Sequence, residues 1–191
     1  KRNLLCRYDV SVTFVGGDLS TPEGVDEMMA GAGQIDILVN NAGIQHVSKV
    51  QDFPYSRWSA ILAINLTAAF LTTKASIPHM YSKGWGRIIN VASAHGRVAS
   101  PNKSAYCAAK HGLIGLTKTV ALEAAEETAT NGSIVTCNAI CPGWVLTPLV
   151  KSQIEDRAKV SKNTFEEEMV SLCGEKHPTK KFTTTTQLGD T

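Results

Sequence analysis

The chain has 191 residues, of which 43% are hydrophobic, and carries a formal net charge of +2. This length and composition are typical of one globular domain with a sizeable core, and they argue against two domains. Lysines and arginines are scattered along the chain and form no basic stripe, so the sequence offers no evident binding site for nucleic acid or for an anionic membrane. Small anionic substrates remain compatible with it.

The cysteines are odd in number and lie mostly inside apolar stretches, which favours reduced core residues over disulfides. They are Cys6, Cys107, Cys137, Cys141 and Cys173. The close Cys or His partners of a structural zinc site are missing, so no metal is predicted. No apolar run approaches the roughly 18 to 20 residues of a membrane span, and no signal peptide opens the sequence. We therefore expect a soluble protein of a reducing compartment, the cytoplasm or the mitochondrial matrix. The first eight residues are compatible with the end of a targeting segment or the tail of a helix.

The first third of the chain predicts a strand, a helix and a second strand. Residues 10–15 are rich in β-branched and aromatic side chains and predict a short strand followed by Asp18. The segment Ser20-Thr21-Pro22-Glu23 has the pattern of a helix N-cap followed by proline, so we predict a helix to about residue 32. The apolar run at 35–39 predicts a strand buried on both faces of a parallel sheet.

The remaining elements continue this alternation. We predict a long helix at 54–82, interrupted near its prolines, a strand at 87–92, a helix at 104–127 with small residues for close packing, a strand at 133–140, and a polar helix through about residue 173. Alternating strands and helices predict a right-handed parallel sheet with helices on both faces. Ligands of such sheets bind at the carboxyl ends of the strands, where Asp18, residues 40–43, Ser93 and residues 142–147 converge.

Tyr106 and Lys110 are the pair on which a chemical prediction depends. If a helix begins at Ser104, the two side chains lie four residues apart on one face. A nearby ammonium would lower the tyrosine pKa from about 10 and make the phenol an acid and base near neutral pH. The alternative is a half-buried tyrosine and a solvated lysine on an ordinary amphipathic helix.

Several motifs in the same order carry a resemblance to a known family. They are Asn40-Asn41-Ala42-Gly43, Asn65, Ser93, Tyr106-x-x-x-Lys110 and Pro142-Gly143. Together, over residues 10–149, they resemble the classical short-chain dehydrogenase/reductase family. The phrases NNAGIQHV, GRIINVASAHG and AYCAAKHGLIGLTK are most similar to the D-3-hydroxybutyrate dehydrogenases within it. The resemblance implies a Rossmann-like, doubly wound, three-layer α/β/α fold.

The resemblance also assigns catalytic and cofactor roles. It implies that Tyr106 donates and accepts the proton, that Lys110 lowers its pKa and binds the nicotinamide ribose, that Ser93 hydrogen-bonds the reacting oxygen, and that Asn65 holds a water. The resemblance implies that the cofactor is NAD. The choice of NAD over NADP rests only on the resemblance to the D-3-hydroxybutyrate dehydrogenases. The implied cofactor contacts are Asp18 at the adenine, Asn41, Ala42 and Gly43 at the adenosine ribose, and Tyr106, Lys110, Pro142, Gly143, Val145 and Thr147 toward the nicotinamide.

The implied substrate is a small hydroxy acid. The resemblance places Gln45, His95, Lys103 and Gln153 around its carboxylate and Trp144 beside the nicotinamide, with residues 150–175 as a lid. The implied reaction interconverts (R)-3-hydroxybutyrate and acetoacetate in a homotetramer. Taken singly, His95 could be an ordinary loop histidine and Lys103 a solvated charge, and another hydroxyl substrate, such as an acyl-carrier-linked or steroid alcohol, stays open.

The sequence departs from the family at both ends. The family's first strand, its Gly-rich phosphate-binding turn and its last strand have no counterpart here, so we expect residues 1–191 to be a single partial dinucleotide-binding domain with the first two strands and the last strand missing. The strand at 10–15 would then have no neighbour. We therefore expect a fragment of a longer enzyme, and a non-catalytic chain that associates with complete subunits is the remaining alternative.

Overall fold

The computed structural model describes residues 10–176 and 179–190. Within these residues the sheet consists of three parallel strands in the order β1, β2, β3. The strands are β1 Ile37–Asn40, β2 Trp85–Val91 and β3 Ile134–Ile140. Asn40 lies opposite Asn90 on β2, and Ile88 lies opposite Cys137 on β3. The predicted parallel α/β architecture is confirmed, and its three strands end at the same edge.

Helices connect and flank the strands. They are α1 Pro22–Ala32, α2 Tyr55–Leu62, α3 Ala68–Lys83, α4 Ser104–Asn131, α5 Pro148–Ser161, α6 Phe165–Lys176 and α7 Thr185–Gly189. The predicted cap of α1 is confirmed, because the Thr21 side chain accepts a hydrogen bond from the Gly24 N–H and Pro22 occupies the first turn. Met29 is buried and Met28 packs beside it.

The long helix predicted at 54–82 is continuous from Tyr55 to Lys83, through a wider π-helical turn at Ala63–Thr67. The predicted interruption near Pro78 is wrong, since this proline lies inside α3. Among the described residues this is the one helix long and apolar enough to cross a bilayer. The expectation that no stretch approaches that length is therefore wrong. Its buried Ile61 and Met80 pack in core clusters, so it is a core helix here.

Two strand predictions are wrong. Residues 10–15 form no strand, and Phe14 is 82% exposed. Ile37 and Val39 are 55% and 53% exposed, although we predicted burial on both faces of β1. β-branched composition favours a strand only where a neighbour supplies hydrogen bonds and a packing surface. β1 is an edge strand of the described sheet. Ile37 and Val39 therefore have neither a neighbouring strand on their outer side nor a surface to pack against.

The polar helix predicted to run through residue 173 is two helices. Lys162 adopts a left-handed conformation with φ of 61° and ends α5. Thr164 and Glu167 then form a reciprocal cap: the Glu167 carboxylate accepts from the Thr164 N–H at 2.8 Å, and the Thr164 hydroxyl accepts from the Glu167 N–H at 3.2 Å. This is the Thr-x-x-Glu capping box, a sequence signal for a new helix start.

The α5–α6 pair is joined by a buried carboxylate. Glu168 is 4% exposed and accepts hydrogen bonds from Arg157 Nε at 3.0 Å, from Asn163 Nδ2 at 3.0 Å and from the Ser161 hydroxyl. These contacts lower the pKa of Glu168 to about 2, and the hydrogen bond with Ser161 has the largest effect. Ile154, Leu172 and Cys173 are buried as well. The two helices therefore pack as one unit.

The cysteines of the described chain are free thiols, three of them buried, as predicted. Cys6, the other residues of the N-terminal segment and His177 lie outside the described residues. No group of three potential metal ligands occurs among the described residues.

The turn after β2 lies directly on α4 because Gly96 has no side chain. A Cβ at Gly96 would lie 2.8 Å from the Lys110 carbonyl oxygen and 2.7 Å from Ile114 Cδ1. Gly115, on the exposed side of the same helix, has no atom within 4 Å of its Cβ position. The two glycines therefore serve as a test position, Gly96, and a control position, Gly115, for the effect of an added side chain.

We expect Gly96→Ala to lower thermal stability by roughly 1–3 kcal/mol, because backbone has to move to relieve the contact. Gly115→Ala should stabilise the chain by about 0.5–1 kcal/mol through helix propensity. Thermal unfolding followed by circular dichroism measures both. Equal stability of the two variants would contradict the close packing of the turn on α4.

The lowered pKa of Glu168 predicts that the folded chain loses stability in acid. Its pKa is lowered in the folded state, so its stabilising contribution is present above the unfolded pKa and is lost as pH falls from about 4.5 through the folded value of about 2. Denaturant unfolding measured across this pH range should show a smaller decline in Glu168→Gln than in the unmodified chain. Glu166→Gln, at an exposed position of α6, should follow the unmodified chain. A Glu168→Gln curve parallel to that of the unmodified chain would refute the role of the carboxylate.

Candidate active site

The carboxyl ends of the three strands bring together the segments predicted to converge. Asn41 follows β1, Ser93 follows β2, and Pro142 follows β3. The Ala94 N–H donates to the Pro142 carbonyl at 2.8 Å, which joins the last two of these loops. Parallel pairing thus places three loops distant in sequence at one edge.

Lys110 is a buried residue of the core edge. Lys110 is only 4% exposed, and its Nζ donates a 2.7 Å hydrogen bond to the Val91 carbonyl at the end of β2. Nζ lies 5.7 Å from the centre of the Tyr106 ring. The predicted helix start at Ser104 places both residues on the inner face of α4. The alternative of a solvated lysine is wrong.

The pKa of Tyr106 differs from our expectation. Burial raises the pKa of the phenol above its ordinary value, and the hydrogen bond with Ser93 only partly opposes this effect. The expectation that Lys110 lowers this pKa is wrong, because burial has the largest effect and raises it. Burial likewise lowers the pKa of Lys110 to about 8, against an opposing effect of Cys141. Desolvation therefore favours the neutral form of each side chain.

Ser93 is positioned to act on the same phenol. It is 8% exposed, it hydrogen-bonds Tyr106, and its hydroxyl accepts from the His95 N–H at 3.1 Å. This last bond caps the short turn Ala94–Gly96. The His95 ring packs edge-on against Tyr106, with 6.1 Å between ring centres. Ser93 and His95 thus approach the phenol from the β2 loop.

Asn65 lies in the π-helical turn and is 1% exposed. Its amide nitrogen donates to the Ile44 carbonyl at 2.9 Å, and its amide oxygen accepts from the Ile44 N–H at 2.9 Å. A π-helical turn of this kind frequently marks a functional position within a helix. Asn65 holds the segment that follows Gly43, and its role as a water ligand stays a prediction.

Four of the five predicted substrate residues line one cavity of about 690 Å³, which extends to α5 and α6. They are Gln45, Lys103, Trp144 and Gln153. Gln153 Nε2 donates to Gln45 Oε1 at 3.1 Å, and Lys103 Nζ lies 5.0 Å from the centre of the Trp144 ring. His95 does not line this cavity, because its ring packs against Tyr106 instead.

The cavity suits an anionic oxygen. Lys103 is only 8% exposed, and its amine-bearing side chain lines the cavity. Gln45 Nε2 is buried and has no hydrogen-bond partner among the described residues. An unsatisfied buried donor costs about 1–3 kcal/mol, which a ligand oxygen would recover. A carboxylate in this cavity would accept a hydrogen bond from the Gln45 amide, and the Lys103 amine lines the same cavity.

The predicted cofactor residues are only partly brought together. Asn41, Ala42 and Asn65 line a second cavity of about 370 Å³ beside β1. Gly43 lies against Asn65, since a Cβ there would be 3.7 Å from Asn65 Oδ1. Asp18 lines neither cavity. Its exposed carboxylate accepts from the Ser20 N–H and hydroxyl at 2.8 and 2.7 Å, which lowers its pKa and shapes the turn before α1.

The nicotinamide-side residues follow β3. Val145 is 5% exposed and forms a bridge with Thr183, while the Thr147 hydroxyl caps α5 by accepting from the Val150 N–H. Pro142 holds the Ser93 loop, and Gly143 is exposed beside it. None of these four residues lines either of the two cavities, and their contacts to a nicotinamide stay a prediction.

Three residues of the site escaped the sequence prediction. Arg157 and Glu168 line the larger cavity from the α5–α6 unit. Asn90, on β2, is fully buried and hydrogen-bonded through its amide. The one signal for Asn90 is a polar residue inside an apolar strand.

Comparison with known proteins identifies the family of this chain. The family model for short chain dehydrogenases matches residues 4–158. A D-beta-hydroxybutyrate dehydrogenase of Cupriavidus necator is 54% identical over 184 residues, which are 94% of this chain and 69% of that enzyme. One from Rhizobium meliloti is also 54% identical, over 90% of this chain and 66% of that enzyme.

A solved structure shows the same fold. An actinorhodin polyketide ketoreductase with NADPH superposes with a TM-score of 0.82 at 29% identity, over 91% of this chain and 66% of that protein. The chain thus spans about two thirds of the length of these relatives. The Rossmann-like fold predicted from the motifs is confirmed. The match over most of its length shows that this chain belongs to the short-chain dehydrogenase family.

Proposed function

We propose that the chain carries the catalytic site of an NAD-dependent oxidoreductase that interconverts (R)-3-hydroxybutyrate and acetoacetate. The observation that supports this most is the cavity holding a buried Lys103 and the unsatisfied Gln45 amide. These groups complement a carboxylate, and the two relatives at 54% identity bear the name of that activity. Residues 150–175, the α5–α6 unit, serve as the lid that brings Gln153 to the substrate.

The proton step is assigned to Tyr106. In the oxidation, its oxygen in the phenolate form accepts the hydroxyl proton of the substrate as hydride leaves the carbon that bears this hydroxyl, and in the reduction the neutral phenol donates that proton. Ser93 holds the reacting oxygen by its hydroxyl. The role proposed for Lys110, whose Nζ lies 5.7 Å from the centre of the Tyr106 ring, is to oppose the effect of burial by stabilising the phenolate when the amine is protonated.

A nicotinamide cofactor supplies or takes the hydride when it is bound. The residues that would hold it follow β1 and β3 in the chain and are Asn41, Ala42, Gly43, Val145 and Thr147. Asp18 belongs to this set through the family resemblance alone. NAD rather than NADP is proposed because the closer group uses it, and the comparison of turnover with each cofactor tests the choice.

The setting of the enzyme follows from its relatives. Both come from bacteria, so we place the protein in the cytoplasm, in ketone body metabolism, and we expect the homotetramer of the family. Sedimentation velocity of the purified chain tests the assembly. A monomer at micromolar concentration would contradict it.

Tyr106→Phe should reduce turnover of (R)-3-hydroxybutyrate by about 10²–10⁴-fold, because the phenol oxygen is the proton carrier. Cofactor affinity, measured by fluorescence titration, should change little, since the ring is retained. Tyr81→Phe removes a phenol from the core side of α3 and is the matched control. Full activity in Tyr106→Phe, or equal loss in both variants, would refute the role.

Lys103→Ala should raise KM for 3-hydroxybutyrate roughly tenfold or more while leaving kcat within a small factor, because the amine binds the carboxylate in ground and transition states alike. The rate with an uncharged alcohol such as 2-butanol should be unaffected. Lys118→Ala, at an exposed position of α4, is the control. If KM for the acid stays constant, the carboxylate assignment is wrong.

A further inference from the structure

A buried polar network lies beneath the active-site edge, and Asn90 is its centre. Asn90 is 0% exposed and is the next-to-last residue of β2. Its amide oxygen accepts from Asn40 Nδ2 at 2.9 Å, and its amide nitrogen donates to the Thr117 hydroxyl at 2.9 Å. Both ends of one carboxamide are therefore occupied, which joins β1, β2 and α4.

The network reaches a fourth element through Asn40. The Thr72 hydroxyl of α3 donates to Asn40 Oδ1 at 2.7 Å, and Thr72 is 5% exposed. On the other side, the Thr117 hydroxyl donates to the Leu113 carbonyl at 2.7 Å, so its oxygen has both a donor and an acceptor role. A fully satisfied buried network of this kind holds its elements in one arrangement, since any shift leaves a desolvated group unpaired.

The position of the network relates it to the chemistry. Val91, the residue after Asn90, presents the carbonyl that holds Lys110 Nζ, and Ser93 follows two residues later. Thr117 lies seven residues after Lys110, about two helical turns along the same face of α4. The Asn90–Thr117 and Val91–Lys110 bonds are thus two successive contacts between one strand and one helix.

We propose that Asn90 is a positioning residue, which with Thr117 sets the register of α4 against β2 and so the placement of Tyr106 and Lys110 relative to Ser93. An apolar residue of similar volume would fill the same space but would not define the position of the helix along its axis. The effect on turnover rests on the proposed function, whereas the effect on the placement of Lys110 does not.

The test compares Thr117→Val with Thr117→Ser and with Thr128→Val. Thr117→Val removes the partner of Asn90, and Thr117→Ser retains its hydroxyl. Thr128, also on α4, hydrogen-bonds the Ala124 carbonyl at 2.9 Å and the Ser133 carbonyl, far from the site, so Thr128→Val is the control for loss of a helix hydroxyl. An Asn90→Asp variant serves as a second probe of the network.

Two readouts are measured on the full chain. The first is kcat for 3-hydroxybutyrate with its pH profile, for which Thr117→Val should lose roughly tenfold to a hundredfold, with KM little changed. The second is the NMR titration of the Lys110 side chain, labelled at Cε, without substrate. Cys141 and Tyr106 are the titratable groups beside it. Its midpoint should shift in Thr117→Val and Asn90→Asp, and return in Thr117→Ser.

The outcomes separate the two claims. Absence of turnover in the unmodified chain would sink the proposed function, and the Lys110 titration would still decide the positioning role. If the titration midpoint and the pH profile in Thr117→Val match those of Thr128→Val, Asn90 has only a structural role and the inference is overturned.

Discussion

The hydrogen bond from Lys110 Nζ to the Val91 carbonyl is the contact on which the rest of the site depends. It brings a charged side chain into the core edge and fixes α4 against the end of β2. Tyr106, one turn earlier on the helix, is thereby placed beside Ser93, which follows the strand. Gly96 permits the same approach from the other side, because a side chain there would meet the Lys110 carbonyl. The geometry of the candidate site is therefore a consequence of how closely one helix packs on one strand.

The site has two parts with different physical characters. Around Tyr106 and Lys110, burial dominates, so that the tyrosine pKa is raised and that of the lysine is lowered. Burial therefore favours the neutral phenol and the neutral amine. Around Lys103 and Gln45, the chain instead buries polar groups without satisfying all of them. The first part suits proton transfer and the second suits the recognition of a carboxylate.

Much of this could be predicted from particular residues. The Thr21-Pro22 cap, the helix start at Ser104 and the strand ends before Asn41 and Ser93 were predictable because local chemistry and tertiary packing agree there. Residues 10–15 have strand composition without a strand partner, so local propensity misled. The π-helical turn around Asn65 depends on packing that no periodicity reports. Asn90 and Glu168 acquire their roles only from partners distant in sequence, and the Thr164 capping box was a readable signal that the prediction missed.

The most direct test of the account follows the hydrogen on the reacting carbon. The protein is mixed with NAD and (R)-3-hydroxybutyrate deuterated at C3, and the nicotinamide and organic products are observed by NMR. The account predicts that deuterium appears on the nicotinamide ring as acetoacetate accumulates, and that the (S) enantiomer does not react. Transfer from both enantiomers alike, or from an uncharged alcohol but not from the acid, would contradict it.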